Sequence, residues 1–254
     1  MRDVAQVTAA VLVIGDEILS GRTQDSNLAV IARFLMPLGI DLMEARVVPD
    51  VEIEIVTAVN ALRQRYTYLF TTGGIGPTHD DITADAIGAA FGLPVEHDNM
   101  AMEILAARYR PGEFNERRQR MARMPKGATI IRNRISAAPG FHIGNVFVLA
   151  GVPKIMEVML EDVRPRLQQA IPVISRSVKV PLPEGQIADG LEAIQNAHPD
   201  LRIGSYPFFA VPGMPGSSGT ILVIRGRNSA GIDSAADEVL ALIKSFGVVA
   251  TAVD

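Results

Sequence analysis

The sequence contains no cysteine, and this absence excludes several classes of chemistry at once. Without thiols the chain has no disulfide, no thiolate nucleophile and no sulfur ligand for zinc. Histidine is also scarce, because its four copies, His79, His97, His142 and His198, are scattered and form no HExxH pair. A zinc site built from histidines is therefore not expected.

Long hydrophobic runs and an excess of basic residues are absent as well. No window of about 18 residues is apolar and uncharged, so we expect no membrane partner. The apolar run near the N-terminus ends at Asp16 and Glu17 and is too short for a signal peptide. The formal net charge is −4, which argues against binding of nucleic acid, although a local basic patch remains compatible with it. These absences together predict a soluble, cytoplasmic protein.

Hydrophobic residues, in contrast, make up 48% of the 254 residues, enough for a sizeable core. The first part of the chain alternates between short apolar runs and amphipathic stretches, and each pattern predicts one element. Strands are predicted at 8–14, 41–48, 66–71, 128–132 and 145–150, and helices at 28–35, 51–65, 83–91, 98–124 and 153–170. This order is typical of an α/β protein whose mostly parallel sheet carries helices on both faces.

The pattern changes near residues 172–183, which are rich in proline. We therefore predict two domains, 1–172 and 173–254. The second is predicted as a small α+β domain with strands at 176–180, 201–207 and 220–225, helices at 184–197 and 233–246, and a loop at 210–219. The run IGSYPFF (203–209) is interpreted as core packing rather than as a platform on which bases stack.

Polar clusters follow the first three predicted strands, at the edge where ligands bind to open α/β sheets. Gly15, Asp16 and Glu17 follow the first strand, and Asp50 follows the second. The run TTGGIGPTHDD (71–81) covers the end of the third. In a parallel sheet all three clusters face one crevice, and this convergence favours a binding site more strongly than any single cluster does.

The run at 71–81 combines glycines that suit a phosphate with two aspartates that repel one. Its glycines let backbone N–H groups approach a ligand closely, although the run matches neither GxxxxGK[ST] nor GxGxxG. Asp80 and Asp81 would repel a phosphate unless a cation lies between, and Mg²⁺ bridges one or two carboxylates to phosphate oxygens. The sequence therefore predicts a divalent metal near Asp16, Asp80 and Asp81, together with a phosphate-containing ligand.

These residues also have interpretations that require no ligand. The glycines suit a tight turn. Asp50 suits the N-cap of the next helix, and Asp80 and Asp81 suit a helix start, where the dipole favours acids. His79 is interpreted as a solvated loop residue. The arginines between 108 and 134 are interpreted as a solvated helix face, with one or two of them able to reach the crevice.

Two motifs in order, GDEILSGRTQDSN (15–27) and TTGGIGPTHDDIT (71–83), resemble the molybdopterin-binding domain family. This family includes MoaB, MogA, the catalytic domain of MoeA and the N-terminal part of CinA. The first motif is most similar to the CinA branch, and SAAPGF (136–141) agrees with that branch. LAGVP (149–153) looks closer to the related domain fused to eukaryotic FAD synthase, as does DLRIGSYPFF (200–209).

The resemblance implies a three-layer α/β/α domain over residues 8–170 and a mechanism for its site. Asp50 and Asp81 match aspartates that serve metal-assisted adenylyl transfer in MogA-like members, so the resemblance implies that both are catalytic. The CinA branch is associated with metal-dependent hydrolysis of ADP-ribose, and the FAD synthase domain with hydrolysis of FAD. The motif positions implied to bind substrate are Gly15, Glu17, Asn27, Gly73, Gly74, Gly76, Pro77 and Thr78.

The function favoured by sequence is thus a divalent-metal-dependent nucleotide pyrophosphatase acting on ADP-ribose, FAD or a similar AMP-containing pyrophosphate. One alternative is a protein that binds molybdopterin or a nucleotide without catalysis. Another is a molybdopterin adenylyltransferase in molybdenum cofactor biosynthesis. Because family members self-associate, the resemblance also implies a homo-oligomer.

Overall fold

The computed structural model describes residues 6–110, 112–210 and 218–253. The chain divides into two compact units, Met1–Ala170 and Ile171–Asp254, called unit 1 and unit 2 below. Within the described ranges, no helix is both long enough and apolar enough to cross a membrane.

Unit 1 is built on a sheet whose central strands are apolar because both faces of the sheet are covered. The strands of unit 1 are β1 Thr8–Ile14, β2 Asp41–Val48, β3 Tyr68–Thr72, β4 Val95–His97, β5 Arg123–Pro125, β6 Thr129–Ile131, β7 Gly140–Ile143 and β8 Val146–Leu149. The main sheet has the order β2-β1-β3-β8-β7-β6, and β4 pairs with β5 outside it. β2, β1, β3 and β8 are parallel, whereas β7 and β6 join antiparallel. The mostly parallel sheet is confirmed.

Helices cover both faces of this sheet. They are α1 Asp16–Leu19, α2 Asn27–Leu35, α3 Glu52–Arg65, α4 Thr83–Phe91, α5 Asn99–Ala106, α6 Glu116–Gln119 and α7 Pro153–Val163, with 3-10 turns at Met36–Leu38, Arg120–Ala122 and Arg164–Arg166. Ile55 of α3 and Ile87 of α4 are buried in one core cluster. Ile31 of α2 and Met156 of α7 are buried in the cluster on the other face. The predicted α/β/α layering is therefore confirmed.

The prediction of one helix over 98–124 is wrong. α5 ends at Ala106, and α6 is a single turn that starts after Asn115, whose side chain accepts a hydrogen bond from the Arg118 N–H at 3.1 Å. Gly112, with φ +84°, adopts a left-handed conformation that a helix interior does not contain. The segment then enters β5, so the arginine-rich stretch folds back toward α4. Strand β7 was also missed, because its four residues are too short for a clear alternation.

Unit 2 has the element order β-α-β-β-α-β. Its elements are β9 Ile174–Val180, α8 Glu184–Ala197, β10 Arg202–Phe208, β11 Gly219–Gly226, α9 Ser229–Ser245 and β12 Thr251–Val253. The sheet order is β10-β11-β9-β12 with antiparallel pairing throughout, and β12 is a strand that the sequence pattern did not predict. Both helices pack on the face that carries Val178, Val180, Leu222 and Ile224. Most of the loop predicted at 210–219 lies outside the described residues.

The interpretation of residues 203–209 as core packing is wrong for the aromatic residues at its centre and end. Ile203 packs against the core of unit 2, as expected. Tyr206 is 51% exposed and Phe209 is 78% exposed. Side chains alternate between the two faces of a strand, and Tyr206 falls on the face that carries no helix.

Candidate functional site

The carboxyl ends of β1, β2, β3 and β8 meet at one edge of the main sheet of unit 1. Ile14 pairs with Val48, and Thr72 pairs with Leu149, so the loops that follow these strands start side by side. The Gly15 N–H donates to the Val48 carbonyl at 3.1 Å, and the Gly73 N–H donates to the Leu149 carbonyl at 3.2 Å. The sheet therefore brings the three predicted clusters together, and the loop after β8 joins them.

Asp50 connects two of these loops. Its Oδ2 accepts a hydrogen bond from the backbone N–H of Asp16 at 3.0 Å, at the start of α1. The alternative interpretation of Asp50 as the N-cap of α3 is wrong, because Val51 holds that position and, among the described residues, no side chain caps it. Asp50 is thus held across the crevice rather than used to start its own helix.

The electrostatic surroundings of Asp50 are negative. Burial raises the pKa of Asp50 above its ordinary value, the hydrogen bond from Asp16 opposes that rise, and the charges of Asp16, Glu17 and Asp80 add to it. A carboxylate that is half-buried among other carboxylates is stabilised when a cation lies beside it or when it binds a proton. Asp50 is therefore suited either to approach a metal or to accept a proton during catalysis.

The glycines of the loop after β3 have a structural explanation of their own. Gly73 has φ +103° and Gly74 has φ +66°, and both values lie in the region that favours glycine. A Cβ on Gly73 would overlap the Ile14 carbonyl, and one on Gly74 would overlap the Thr83 hydroxyl. Thr83 closes the turn, because its hydroxyl donates to the Gly73 carbonyl at 2.9 Å. These glycines therefore fix the loop, and they alone do not indicate a ligand.

The two adjacent aspartates of this loop have different surroundings. Asp81 Oδ2 accepts hydrogen bonds from the Thr78 N–H, at 2.7 Å, and from the Thr78 hydroxyl. Asp80 is exposed, and its interaction with the Thr78 side chain lowers the pKa of Asp80 below its ordinary value. The interpretation of either as a cap of α4 is wrong, since within the described chain the N-cap, Ile82, has no side-chain hydrogen bond. Asp80 acts electrostatically on Asp50, whereas Asp81 points toward a separate cleft.

That cleft, called the arginine cleft here, lies between the glycine loop and the α6–β5 region. Its lining includes Gly74, Gly76, Asp81, Asp85, Arg120 and Arg123. Arg123 forms a bidentate pair with Asp85 at 3.0 and 2.6 Å, and an Arg120 guanidinium N–H donates to the Asp81 carbonyl at 3.5 Å. Arg120 Nε is buried and has no hydrogen-bond partner in the described structure. Two of the arginines between 108 and 134 therefore line the arginine cleft beside the glycine loop, and their contact with a phosphate stays a prediction.

A second concavity, called the threonine cavity here, lies on the α2 and α7 side of the glycine loop. It has a volume of about 60 Å³, and its lining includes Glu17, Asp25, Asn27, Thr72, Gly73 and Gly151. Asn27 Nδ2 donates to the Gly151 carbonyl at 2.7 Å, which fixes the orientation of the amide. Asn27 Oδ1 and Thr72 Oγ1 are buried and unpaired among the described residues. Buried polar atoms are normally hydrogen-bonded, so this pair suits a polar ligand group.

The carboxylates at the crevice are too dispersed to enclose a divalent metal by themselves. Among the described residues, no group of three or more histidine, aspartate or glutamate side chains is arranged to hold a metal ion. Burial raises the pKa of Asp50, and the negative charges of Asp16, Glu17 and Asp80, which add to that rise, nevertheless suit a cation. The residues therefore fit a metal shared with substrate phosphates, in which the protein supplies one or two carboxylates, and not a complete protein cage.

Most of the predicted site residues line one of the two concavities or the crevice between them. Asp16, Glu17, Asn27 and Asp50 lie at the crevice or in the threonine cavity, and Gly15 adjoins them. Pro77 and Thr78 are exposed and line neither cavity, and Thr78 contributes by holding Asp81. The sequence did not single out Thr72 or Gly151, and it indicated Arg123 only as one of the arginines between 108 and 134. Gly151 lies in LAGVP, directly after the predicted strand at 145–150, and that position was the available signal.

Unit 1 is thus an α/β domain with a polar crevice, a candidate ligand site, at the carboxyl edge of its parallel strands. The family model described as "Probable molybdopterin binding domain" matches residues 10–169. The chain belongs to this molybdopterin-binding domain family and is CinA-like. The model described as "FAD synthase, middle domain" matches residues 172–252.

Relatives and a solved structure agree with this assignment. A protein of Pyrobaculum arsenaticum is 36% identical over 210 residues, covering 78% of this chain and 79% of the relative. A "CinA-like protein" of Syntrophotalea carbinolica is 35% identical over 210 residues, covering 72% of this chain but 51% of the relative, so the match spans about half of that protein. The crystal structure of CinA from Thermoplasma acidophilum is 32% identical, with a TM-score of 0.60, covering 63% of this chain and 96% of that one.

Proposed function

We propose that the chain is a divalent-metal-dependent nucleotide pyrophosphatase that cleaves ADP-ribose, FAD or a similar AMP-containing pyrophosphate. The observation that carries this proposal is the position of Asp50. Its carboxylate is held by the Asp16 N–H at 3.0 Å, in a negative crevice with a polar concavity on either side of the glycine loop. A ligand with two arms joined by phosphates suits this arrangement.

Asp50 is assigned the role of general base. A water molecule attacks one phosphorus atom, the new P–O bond forms to the water oxygen, and the P–O bond of the pyrophosphate bridge breaks. The water proton passes to the Asp50 carboxylate, and the leaving phosphate carries away the bridging oxygen. Because burial raises the pKa of Asp50, its carboxylate is a stronger base than an ordinary aspartate.

Asp16, Asp80 and Asp81 are the candidates to hold the metal together with the substrate phosphates. When bound, the metal supplies charge neutralisation at the phosphoryl oxygens. Asp80 already acts on Asp50 electrostatically, whereas the Asp81 carboxylate is turned toward Thr78. A role for Asp81 as metal ligand or catalytic acid therefore requires that its hydrogen bonds with Thr78 open when substrate binds.

The two concavities are assigned to the two arms of the substrate. In the arginine cleft, Arg120 has an unpaired buried Nε among the described residues and suits an anionic group. In the threonine cavity, Asn27 Oδ1 can only accept a hydrogen bond, and Thr72 Oγ1 can donate or accept one. This pair complements adjacent hydroxyl groups, as a ribose presents them.

Binding without catalysis is the second candidate function, and one observation favours it: the described residues do not form a complete metal site by themselves. A pterin or nucleotide would then occupy the same crevice. Molybdopterin adenylyl transfer would use the same site to form the kind of bond that the pyrophosphatase cleaves. A cytoplasmic location and a homo-oligomeric state complete the proposal, with a small-molecule nucleotide or pterin as ligand.

One panel of experiments separates the three functions. The purified chain is incubated with ADP-ribose, FAD, NAD or CoA and Mg²⁺, Mn²⁺ or Co²⁺, and products are resolved by chromatography. Release of AMP from ADP-ribose, FAD or NAD, or of adenosine 3′,5′-bisphosphate from CoA, supports the pyrophosphatase. Tight nucleotide binding in chelator, with no turnover across the panel, would instead support a binding protein. Formation of adenylylated product from ATP and molybdopterin would support the transferase.

A further inference from the structure

Unit 2 leaves one face of its sheet uncovered, because α8 and α9 both pack on the other face. Cross-strand register identifies the residues of this bare face, which we call the open face. On β10, β11 and β9 its rows, from one end to the other, are Arg202, Arg225 and Ser175; Gly204, Val223 and Ser177; Tyr206, Ile221 and Lys179; and Phe208 with Gly219. Thr251 of β12 pairs with Lys179.

The two aromatic residues of the open face, Tyr206 and Phe208, both lie on β10. A Cβ on Gly204 would lie 3.1 Å from Tyr206 Cε2 and 3.2 Å from Tyr206 Oη, so the tyrosine ring lies over the glycine. Tyr206 is 51% exposed, which leaves ring surface open to solvent. At the same end, Lys179 Nζ lies 4.4 Å from the centroid of the Phe208 ring, which positions the ammonium above the sheet.

The charge of the open face has one sign. Arg202 and Arg225 are cross-strand partners at one end, and Lys179 lies at the other. Its described rows contain no aspartate or glutamate, although the whole chain has a net charge of −4. Along β11, Arg225 is four residues from Ile221, the neighbour of Lys179, which is roughly 13 Å at the rise of a strand. One phosphate cannot contact both ends, whereas a run of linked nucleotides can.

We propose that the open face of unit 2 binds single-stranded nucleic acid. A base stacks on the Tyr206 ring, Lys179 contacts a phosphate at one end, and Arg202 and Arg225 contact phosphates at the other. Stacking tolerates any base, because every base has a flat aromatic face, so the expected binding has little sequence preference. The net charge of −4 is compatible with this binding, because the described rows of the open face form a local basic patch.

The test uses the full chain and a fluorescein-labelled oligouridylate dodecamer, with anisotropy measured over a range of salt concentrations. Three phosphate contacts predict that log Kd rises with log salt concentration with a slope of about 2, since each contact on a single strand contributes roughly 0.7. Tyr206→Ala is expected to weaken binding about tenfold. Lys179→Ser is expected to lower the slope by roughly 0.7.

Matched controls lie on the helical side of unit 2. Phe246→Ala removes an exposed aromatic residue at the end of α9, and Lys244→Ser removes an exposed cation from the same helix. Neither control is expected to change affinity, and circular dichroism verifies that each variant is folded. The proposal is overturned by absence of binding at low salt, or by equal effects of Tyr206→Ala and Phe246→Ala. It is also overturned if Tyr206→Ala dissociates an oligomer, by sedimentation velocity, and leaves RNA affinity unchanged.

Discussion

Asp50 accepts a hydrogen bond from the backbone N–H of Asp16 at 3.0 Å, across 34 positions of sequence. This contact joins the loops after β1 and β2 and holds a carboxylate that is half-buried beside other acids. Burial and neighbouring negative charge raise the pKa of Asp50, so the folded chain maintains an unfavourable charge at neutral pH. Unfavourable charges of this kind are characteristic of functional sites, where they are part of the chemistry.

Asp50→Asn is expected to lower the rate of pyrophosphate hydrolysis by on the order of a hundredfold or more, since it removes the general base. The same change should raise the midpoint of thermal unfolding. The sign follows from linkage: because the folded-state pKa of Asp50 is raised, the fold loses stability as pH rises through the interval between its unfolded and folded pKa. Asparagine carries no charge to desolvate, and its side-chain oxygen can still accept the Asp16 N–H.

Hydrolysis assays and calorimetry near pH 7 test both effects, and calorimetry repeated at a pH below the pKa of Asp50 is the control. There the protonated wild type and the variant should unfold at similar temperatures. Equal thermal midpoints at neutral pH would contradict the assignment of an unfavourable charge to Asp50.

Asp80→Asn is expected to shift the acid limb of the pH–rate profile to lower pH. The negative charge of Asp80 raises the pKa of Asp50, so its removal lowers that pKa and leaves the base deprotonated at lower pH. The measurement is kcat/KM against pH for wild type and variant. Asp233→Asn, in unit 2, is the matched control and should leave the profile unchanged. A shift of the limb to higher pH would be the wrong sign for this account.

Gly74→Ala is expected to destabilise unit 1 more than Gly92→Ala does. Both glycines have φ +66°, so alanine at either position carries the same backbone strain of about 1–2 kcal/mol. A Cβ on Gly92 has no heavy atom within 4 Å, apart from its own chain neighbours, whereas one on Gly74 overlaps the Thr83 hydroxyl that closes the loop. Denaturant titration gives the free energy of unfolding of each variant. Equal losses of free energy would show that Thr83 can move away from the added Cβ at no cost, which would contradict the role of its hydroxyl in closing the loop.

Thr72→Val is expected to raise KM severalfold and leave kcat unchanged, because it removes a ligand contact that is equal in the ground and transition states. It should also stabilise the free protein by about 1 kcal/mol, since an unpaired buried hydroxyl is costly. Thr71→Val is the control: its hydroxyl is also buried and unpaired in the described structure, but Thr71 does not line the threonine cavity. Kinetics and thermal unfolding of both variants give the comparison. An equal KM for the two variants would show that Thr72 does not contact the substrate.

The crevice was predictable from sequence because local patterns define it. The apolar run at 8–14, the helix after Asp50 and the glycines after β3 each identify one element, and parallel topology then brings their ends together. The direction of each carboxylate was not predictable. Asp50 and Asp81 each precede a helix, so the local sequence suits both of them as helix caps. Only the folded loops show that Asp50 accepts a hydrogen bond from Asp16 and that Asp81 accepts one from Thr78.

The contributions of Arg123, Thr72 and Tyr206 depend on contacts between distant segments. Arg123 reaches the arginine cleft because β5 pairs with β4, and the sequence pattern of that segment favours a helix. Thr72 is one of two adjacent threonines in β3. Their side chains lie on opposite faces of the strand, and the sequence alone does not show which of the two faces the threonine cavity. The apolar and aromatic run around Tyr206 predicts a core residue. Tyr206 is exposed because both helices pack on the opposite face of the unit 2 sheet.

The most direct test of the central claim is the rate of AMP release from ADP-ribose and FAD by the purified chain, with Mg²⁺ and with excess chelator. The account predicts AMP release that requires the metal, is restored when metal is returned, and falls by on the order of a hundredfold in Asp50→Asn. Absence of AMP with every divalent ion, or release that Asp50→Asn and chelator leave unchanged, would contradict it.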